Sequence, residues 1–196
     1  KDINGLNSEQ SRDIITTFFI MELMKIIKCL HEIGIIHGDL KADNCMARVH
    51  LKGETRLIDG HNAICSLRLI DFGKSADMKF FNDSQKKFVH NLKQTDDQDC
   101  PEVREKRPFN YEIDYYGVAA VAHTLLFNEY IENRVDTVNG KKRYSIKKNI
   151  PRADREHWGA FFTAFINSAL SVSNLPMFEE LKFFIDKFEQ RLQANP

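Results

Sequence analysis

Ile36-His37-Gly38-Asp39-Leu40-Lys41-Ala42-Asp43-Asn44 is the stretch that decides the fold, and Leu69-Ile70-Asp71-Phe72-Gly73 follows it downstream. Together they carry the residue types that phosphoryl transfer requires. The carboxylate of Asp39 can orient an attacking hydroxyl and accept its proton, and the ammonium of Lys41 can reach the γ-phosphate of ATP. The oxygens of Asn44 and Asp71 are hard ligands suited to Mg²⁺. The pattern therefore predicts phosphotransfer chemistry rather than a buried strand followed by a polar turn.

These two stretches resemble the catalytic loop and the metal loop of the protein kinases. Three features are similar to one branch, the Bub-type mitotic checkpoint kinases. They are HGD in place of the usual HRD, IDFGKSADMKFF from position 70, and NYEIDYYGVAAVAHTLLF from position 110. The resemblance implies a mainly α fold with short β hairpins, namely the C-terminal lobe of a protein kinase domain.

The resemblance also divides the chain. Residues 1–196 would form the C-terminal lobe alone, with the catalytic loop at 36–44, the metal loop at 71–73 and the activation segment at 71–102. No GxGxxG loop occurs in the chain, and no Val-Ala-x-Lys strand precedes the first helix. We therefore expect the small N-terminal lobe, with its phosphate-pairing lysine, to lie upstream.

The implied activity is that of a serine/threonine protein kinase with ATP and Mg²⁺ as cofactors, since a lysine two residues after Asp39 suits that class better than the tyrosine kinases. Its partners would be a protein substrate and other checkpoint or kinetochore proteins. The implied location is the nucleus and cytoplasm, with the kinetochore in mitosis.

Further residues receive structural roles from the resemblance. His37 and Phe72 would pack between the two loops, and Gly73 would let the metal loop turn. Asp114 lies near the start of an apolar run and would accept backbone N–H groups of the catalytic loop; a carboxylate at a helix N-terminus is the alternative. Thr95 would either bridge Asp39 and Lys41 or be a surface phosphorylation site.

Two positions depart from the family pattern. Gly38 replaces the arginine that holds a phosphorylated activation loop in most kinases, which predicts activation by packing rather than by loop phosphorylation. Glu102, in the sequence Cys100-Pro101-Glu102, normally pairs with an arginine between the last two large helices. Residues 171–176 contain no arginine, and Arg155 is the substitute candidate.

Apolar periodicity and turn residues predict the remaining elements. Phe80, Phe81 and Phe88 are the expected apolar anchors of the polar stretch 74–99. The predicted elements are a helix over 8–32 ended by Gly34, strands at 35–36, 45–49 and 68–70, a surface loop over 52–66, a buried helix over 111–127, a hairpin of 134–138 and 142–146 around Asn139-Gly140, and helices over 155–170 and 176–192.

Composition limits the classes of function. The formal net charge is +0, so no global field favours nucleic acid or an anionic membrane. The four cysteines form no CxxC pair, which favours reduced thiols over a zinc site. Basic residues concentrate between positions 141 and 155. Such a patch is usually a solvated face, and docking of acidic or phosphorylated partners is the alternative.

Two other functions stay open at this point. One is a pseudokinase that acts as a checkpoint scaffold, since some Bub-type proteins are thought to have lost catalysis. The other is a small-molecule phosphotransferase, a group that also uses HGD and a later metal-binding Asp but lacks the Cys-Pro-Glu element. The retained set of Asp39, Lys41, Asn44 and Asp71 favours the active enzyme.

Overall fold

The computed structural model describes residues 8–49, 56–58, 61–63, 65–81, 87–88, 95–151, 155–168 and 175–194. The helices are α1 (Ser8–Glu32), α2 (Pro101–Arg104), α3 (Glu112–Phe127), α4 (Arg155–Ile166) and α5 (Phe178–Gln193). The strands are β1 (Ile35–Ile36), β2 (Cys45–Val49), β3 (Arg56–Ile58), β4 (His61–Ala63), β5 (Cys65–Leu69), β6 (Ala76–Asp77), β7 (Asn133–Val138) and β8 (Lys141–Ile146). None of the described helices is both long and apolar enough to cross a membrane.

Helix α1 forms where the apolar period predicts it. Its buried stripe includes Ile20, Leu23, Met24 and Ile27, none of which is exposed. The helix ends before Gly34, whose φ of +81° is a left-handed conformation that glycine adopts without a Cβ penalty. This turn delivers the chain into β1 and fixes the direction in which the following loop leaves the helix.

Helix α3 is the centre of the core. It packs against α1 on one side and α4 on another, and α5 packs on α1. Most of its residues are buried, as expected for a helix that is apolar on nearly all faces. Aromatic side chains fill the space beside it, with the rings of Phe161 and Phe165 stacked at 4.4 Å between centroids.

A polar group ties three helices together at the edge of the core. The indole N–H of Trp158 donates to Asp13 Oδ1 at 2.7 Å, and the guanidinium of Arg191 donates twice to Asp13 Oδ2 at 2.6 and 3.1 Å. Side chains from α1, α4 and α5 therefore meet at the Asp13 carboxylate, and each of its oxygens accepts a hydrogen bond.

In the part of the chain that the structure describes, the strands form four antiparallel pairs: β1 with β6, β2 with β5, β3 with β4, and β7 with β8. The loop predicted over 52–66 is wrong in part, because it contains β3, β4 and the start of β5. Between β3 and β4 the sequence is Asp59-Gly60, a dipeptide typical of two-residue hairpins, and Ile58 pairs with His61 across it. Polarity alone had suggested a loop.

The three phenylalanines of the stretch 74–99 behave differently. Phe81 and Phe88 pack edge to face with centroids 5.3 Å apart, and Phe88 exchanges backbone hydrogen bonds with Phe109. Phe80 was wrongly expected to be an anchor, because its side chain is 85% exposed. It ends a short 3₁₀ turn over Met78–Phe80, which buries Met78 and turns Phe80 outward.

Candidate active site

The two predicted loops meet because the strands beside them pair. β2 and β5 are antiparallel, with Cys45 opposite Leu69. The start of β2 therefore lies beside the end of β5, and the N–H of Ile70 donates to the carbonyl oxygen of Asn44 at 2.9 Å. Asp71 follows directly, so its loop lies next to the catalytic loop although the two are far apart in sequence.

Asp114 holds the start of the catalytic loop. Its carboxylate is completely buried and accepts the backbone N–H of His37 at 2.8 Å and that of Gly38 at 2.8 Å, one on each oxygen. Buried backbone donors need such partners, because water cannot reach them. The contact joins α3 to a loop 77 positions earlier in the chain.

A chain of hydrogen bonds supports Asp114 from behind. The N–H of Met177 donates to the Tyr115 hydroxyl at 2.9 Å, and that hydroxyl lies 3.0 Å from His31 Nδ1. Burial raises the pKa of Tyr115, so the hydroxyl keeps its proton and can donate to Nδ1. His31 Nε2 then carries the ring proton and donates to Asp114 Oδ2 at 2.9 Å. Helices α1 and α3 and the start of α5 thus converge on one carboxylate.

His37 and Phe72 connect the two loops. The imidazole of His37 is completely buried and lies edge to face with the Phe72 ring, with centroids 4.8 Å apart. The N–H of Asp39 donates to His37 Nδ1 at 3.3 Å, which leaves the proton on Nε2, and Nε2 donates to the carbonyl oxygen of Ile70 at 3.0 Å. His37 therefore bonds the catalytic loop to the metal loop.

Asp39 lies between two ammonium groups. Lys41 Nζ is 3.2 Å from Asp39 Oδ2, and Lys74 Nζ is 2.9 Å from Oδ1. Burial raises the pKa of Asp39, but the hydrogen bonds and charges of Lys74 and Lys41 outweigh it and hold the pKa below its ordinary value. The carboxylate is ionised at neutral pH. Among the described residues Oδ1 accepts from Lys74 alone, so that oxygen keeps a lone pair for a further donor.

Asn44 and Asp71 have the donor set expected for magnesium. The amide nitrogen of Asn44 donates to the carbonyl oxygen of Asp39 at 2.8 Å, which leaves its amide oxygen to act as a ligand. Asp71 is exposed, has a φ of 62°, and accepts the N–H of Gly73 at 3.3 Å. Within the described ranges no cluster of three or more His, Cys, Asp or Glu side chains could hold a metal unaided. Mg²⁺ is usually bound by one or two protein oxygens together with phosphate oxygens.

Gly38 has a steric reason to be glycine. Its φ is +79°, and a Cβ built on it would lie 2.5 Å from the carbonyl oxygen of Lys74. The Ser75 hydroxyl also donates to the carbonyl oxygen of His37 at 3.0 Å. The backbone after the metal loop thus lies directly against the catalytic loop, and no side chain fits at position 38.

A cavity of about 500 Å³ opens beside Asp39. Its wall includes Lys41, Lys74, the stretch 98–100 and the face of α3 around Gly117. A Cβ at Gly117 would lie 2.5 Å from Leu40 Cβ, so α3 and the catalytic loop are in direct contact there. The cavity gives a substrate segment a place next to the carboxylate.

Thr95 does not meet the residues that the bridging prediction gave it. It is exposed and, among the described residues, has no hydrogen bond to Asp39 or Lys41. The second group on the Asp39 carboxylate is Lys74, which follows Gly73 directly.

The partner of Glu102 is Arg107. The Glu102 carboxylate is buried and lies 3.2 Å from the Arg107 guanidinium, which also bonds Glu105 at 2.6 Å. Arg155, the candidate from the sequence, is exposed on α4. The arginine that pairs with Glu102 therefore comes from nearby in the chain. Arg107 lies in the turn that follows α2, where its backbone N–H also donates to the carbonyl oxygen of Glu102 at 2.8 Å.

The stretch before α2 is fixed by protein contacts. Arg104 forms an ion pair with Asp97 and lies over the Tyr144 ring at 4.7 Å. The Tyr116 hydroxyl donates to the Asp97 carbonyl oxygen, and the N–H of Asn133 donates to Asp97 Oδ2 at 3.2 Å. These bonds fix Asp97 against α2, α3 and the start of β7, while activation by packing rather than by loop phosphorylation stays a prediction.

Sequence reasoning missed His31, Lys74 and Arg107. His31 left a signal, since it lies four residues after Ile27 on the apolar stripe of α1, where a polar side chain needs a buried partner. Lys74 and Arg107 left none, because exposed cations are common and their spacing carries no period.

The chain matches the model of the protein kinase domain over residues 5–186. It is 38% identical over 179 residues to the spindle assembly checkpoint serine/threonine-protein kinase bub1 of Schizosaccharomyces pombe. The aligned region covers 86% of this chain and 17% of that protein. It is 39% identical over 188 residues to the spindle assembly checkpoint serine/threonine-protein kinase BUB1 of Saccharomyces cerevisiae. Here the aligned region covers 92% of this chain and 18% of that protein.

A solved structure is also similar. The crystal structure of the BubR1 kinase domain superposes with a TM-score of 0.72 at 30% sequence identity, over 92% of this chain and 50% of that chain. The chain thus spans about half of that kinase domain and less than a fifth of the two curated relatives.

Proposed function

Because the chain belongs to the protein kinase family, we propose that it transfers the γ-phosphate of ATP to serine and threonine hydroxyls of proteins. In this proposal residues 1–196 form the C-terminal lobe, with the catalytic loop at 36–44, the metal loop at 71–73 and the activation segment at 71–102. The rest of the protein supplies the small lobe that covers the nucleotide. The half-length overlap with the BubR1 kinase domain supports this division.

One observation carries the proposal. Asp39, Lys41 and Asn44 form a single hydrogen-bonded group, in which Oδ2 of Asp39 lies 3.2 Å from Lys41 Nζ and 3.4 Å from Asn44 Nδ2. The bond from Ile70 to Asn44 attaches the Asp71 loop to the same group. The Asp39 carboxylate and the Lys41 ammonium line one cavity, and Asn44 and the Asp71 loop are bonded to the same loop. Together they make up the set of groups that phosphoryl transfer needs.

The residues then have distinct tasks. Asp39 accepts the hydrogen bond of the substrate hydroxyl, orients it for in-line attack and takes up its proton. Lys41 interacts with the phosphoryl group that is transferred. The side-chain oxygens of Asn44 and Asp71 would hold Mg²⁺, which neutralises charge on the phosphates when it is bound. Asp114 and His37 keep Asp39 in position through the backbone of the loop.

We further propose a role in the spindle assembly checkpoint. The relatives from both yeasts are named as spindle assembly checkpoint kinases and cover most of this chain. The partners would be protein substrates and other checkpoint or kinetochore proteins. The location would be the nucleus and cytoplasm, with the kinetochore in mitosis.

A scaffold that has lost catalysis is the second candidate. The contact between Lys74 and Asp39 favours it, because an ammonium at 2.9 Å occupies an oxygen that the substrate hydroxyl would use. Lys74 is 65% exposed in its side chain, however, and a surface ion pair of this kind is worth about 0–1 kcal/mol. An incoming substrate can displace it at little cost.

The test is Asp39→Asn in the full-length protein. The substitution is nearly isosteric and keeps an acceptor oxygen, but it cannot take up a proton. We expect kcat to fall roughly 10²–10⁴-fold, while ATP affinity and melting temperature stay near wild type. Asp136→Asn, the same change on the exposed strand β7, is the matched control. A wild type that transfers no more phosphate to protein hydroxyls than the Asp39→Asn variant would establish the scaffold instead.

A further inference from the structure

A second cavity, of about 370 Å³, lies between the base of the β7–β8 hairpin and helix α4. We call it the hairpin pocket. It is lined by Arg134, Ser145, Ile146, Lys148, Asn149, Ile150, Arg155, Gly159, Phe162 and Thr163. It shares no lining residue with the cavity beside Asp39, and none of the residues assigned to catalysis contributes to it.

The rim of the hairpin pocket is cationic. Arg134, Lys148 and Arg155 are all exposed at its edge. Lys148 is paired with Glu129 at 2.9 Å. Arg134 donates to the carbonyl oxygen of Ile146 at 3.2 Å, and neither it nor Arg155 has a carboxylate partner in the described part of the chain. Two guanidinium groups therefore line one cavity, and among the residues that the structure describes neither is matched by a carboxylate.

The floor of the pocket is apolar. Ile146 and Phe162 are 5% and 3% exposed, and Ile150 is partly buried beside them. Ser145 and Asn149 are exposed at the wall and add hydroxyl and amide groups. An occupant that fits would have a strongly anionic group for the rim and an apolar neighbouring group for the floor.

We propose that the hairpin pocket binds a phosphoserine or phosphothreonine side chain within a segment of a partner protein. A phosphate monoester carries a charge of about −1.5 to −2 at neutral pH, which matches two unpaired guanidinium groups better than a single carboxylate does. Arginine forks bind phosphate oxygens in a bidentate manner, which gives the site geometric selectivity. The floor takes an apolar side chain beside the phosphorylated residue.

The charge distribution favours a protein segment over nucleic acid. The net charge of the chain is +0, and the two arginines, which have no carboxylate partner in the described part of the chain, lie at an open pocket with an apolar floor. Binding along a nucleic-acid backbone uses a run of cations that neutralises many phosphates in succession. Elsewhere on the hairpin and just after it, Lys142 and Lys147 are already paired with Glu105 and Glu132.

Strand β7 contacts residues of both cavities. The Asn133 side chain at its start donates to the hydroxyl of Tyr116, which lines the cavity beside Asp39. Arg134, the next residue of β7, lines the hairpin pocket.

The experiment uses full-length protein without ATP, so its outcome does not depend on catalysis. A degenerate peptide library with phosphoserine or phosphothreonine fixed at its centre is first screened for peptides that bind the wild-type protein. Fluorescence anisotropy then measures the best peptide, its unphosphorylated form and its glutamate form. Of the three peptides, we expect only the phosphorylated one to bind well. The double variant Arg134→Gln/Arg155→Gln should lower the affinity for this peptide roughly 10²-fold, about tenfold for each lost charged bond.

Lys141→Gln/Arg143→Gln is the matched control, since it removes the same charge from the exposed end of the same hairpin. Its affinity should stay within about twofold of wild type, because exposed cations away from the pocket are screened by salt. Both double variants should keep the wild-type melting temperature. Equal losses in both would show diffuse charge attraction and overturn the proposal. Failure of the wild type to select any phosphopeptide, or displacement of the peptide by a DNA duplex equally in both variants, would overturn it as well.

Discussion

Asp114→Asn is the substitution that most directly tests how the fold positions the catalytic loop. The buried carboxylate accepts the N–H groups of His37 and Gly38 at 2.8 Å each and that of His31 at 2.9 Å. Asparagine keeps one acceptor oxygen, and its NH₂ group must face the other backbone donor. His31 can adapt by moving its ring proton to Nδ1, where the Tyr115 hydroxyl accepts it.

The remaining penalty falls on one or two buried donors. A buried donor without a partner costs about 1–3 kcal/mol, so we expect the free energy of unfolding to drop by about 2–4 kcal/mol. For a domain of this size that lowers the melting temperature by roughly 10 °C. Because the loop that carries Asp39 loses an anchor, kcat should also fall roughly 10–10²-fold.

Thermal unfolding by circular dichroism and steady-state kinetics on the complete kinase domain measure both effects. Asp136→Asn, on the exposed face of β7, removes the same charge without touching a buried donor. An Asp114→Asn protein that melts and turns over like Asp136→Asn would refute the argument that this carboxylate positions the loop.

Asp71→Ala should weaken Mg²⁺-dependent ATP binding while leaving the melting temperature near wild type, because the side chain is exposed in a loop; calorimetry with unchanged affinity would contradict the assignment. Gly38→Ala should lower the free energy of unfolding by about 2–4 kcal/mol, since a left-handed residue gains a Cβ that meets the Lys74 carbonyl oxygen at 2.5 Å. Gly140→Ala shares the positive φ but meets nothing within 4 Å, so chemical denaturation should show a loss of only about 1–2 kcal/mol. Burial lowers the pKa of His157 from 6.5 to about 4. Between pH 4 and pH 6.5 the unfolded chain therefore binds the proton more readily than the folded one. The free energy of unfolding is lost as the pH falls from 6.5 towards 4. Between pH 7.5 and pH 5 the wild type should lose about 2 kcal/mol more than His157→Phe, and parallel pH profiles of unfolding would exclude this cause.

The contact between Lys74 and Asp39 partly closes the candidate site. Lys74 Nζ lies on Oδ1 of Asp39, while Lys41 lies on Oδ2. Both cations are exposed, and both keep the carboxylate ionised. In the proposed reaction Asp39 is thus ready to accept a hydrogen bond, and the approach of a substrate hydroxyl requires that the exposed Lys74 side chain moves aside.

Local sequence signals predicted most of the secondary structure. The apolar period of α1 and Gly34 after it, the near-continuous apolar run of α3, and Asn139-Gly140 between β7 and β8 all act within a few residues, and the structure has these elements where they were expected. The protein-kinase-like fold is likewise confirmed by the BubR1 kinase domain. Where the prediction rested on polarity alone, over 52–66, it missed β3 and β4, because backbone pairing does not require apolar side chains.

The chemistry of the candidate site was also present in the sequence. Asp39, Lys41, Asn44 and Asp71 could be named from their residue types and spacing, since phosphoryl transfer restricts which side chains can serve. Sequence spacing did not reveal their partners. Thr95 was one candidate neighbour of Asp39, with a surface phosphorylation site as its alternative role, and Lys74 is the residue that bonds Oδ1 of Asp39. Arg155 was the substitute candidate for the partner of Glu102, and Arg107 is the residue that lies there.

The sequence by itself therefore determined most of the helices and strands and which side chains have the means for phosphoryl transfer. Only the tertiary structure decided that His31 bonds Asp114 across 83 positions, that Lys74 reaches Asp39 across 35 positions, and that Arg134 lines the same pocket as Arg155. The reason is physical. Helical and strand periods arise from interactions within a few residues, whereas contacts across the core depend on how the helices pack, and no local period of the chain records that arrangement.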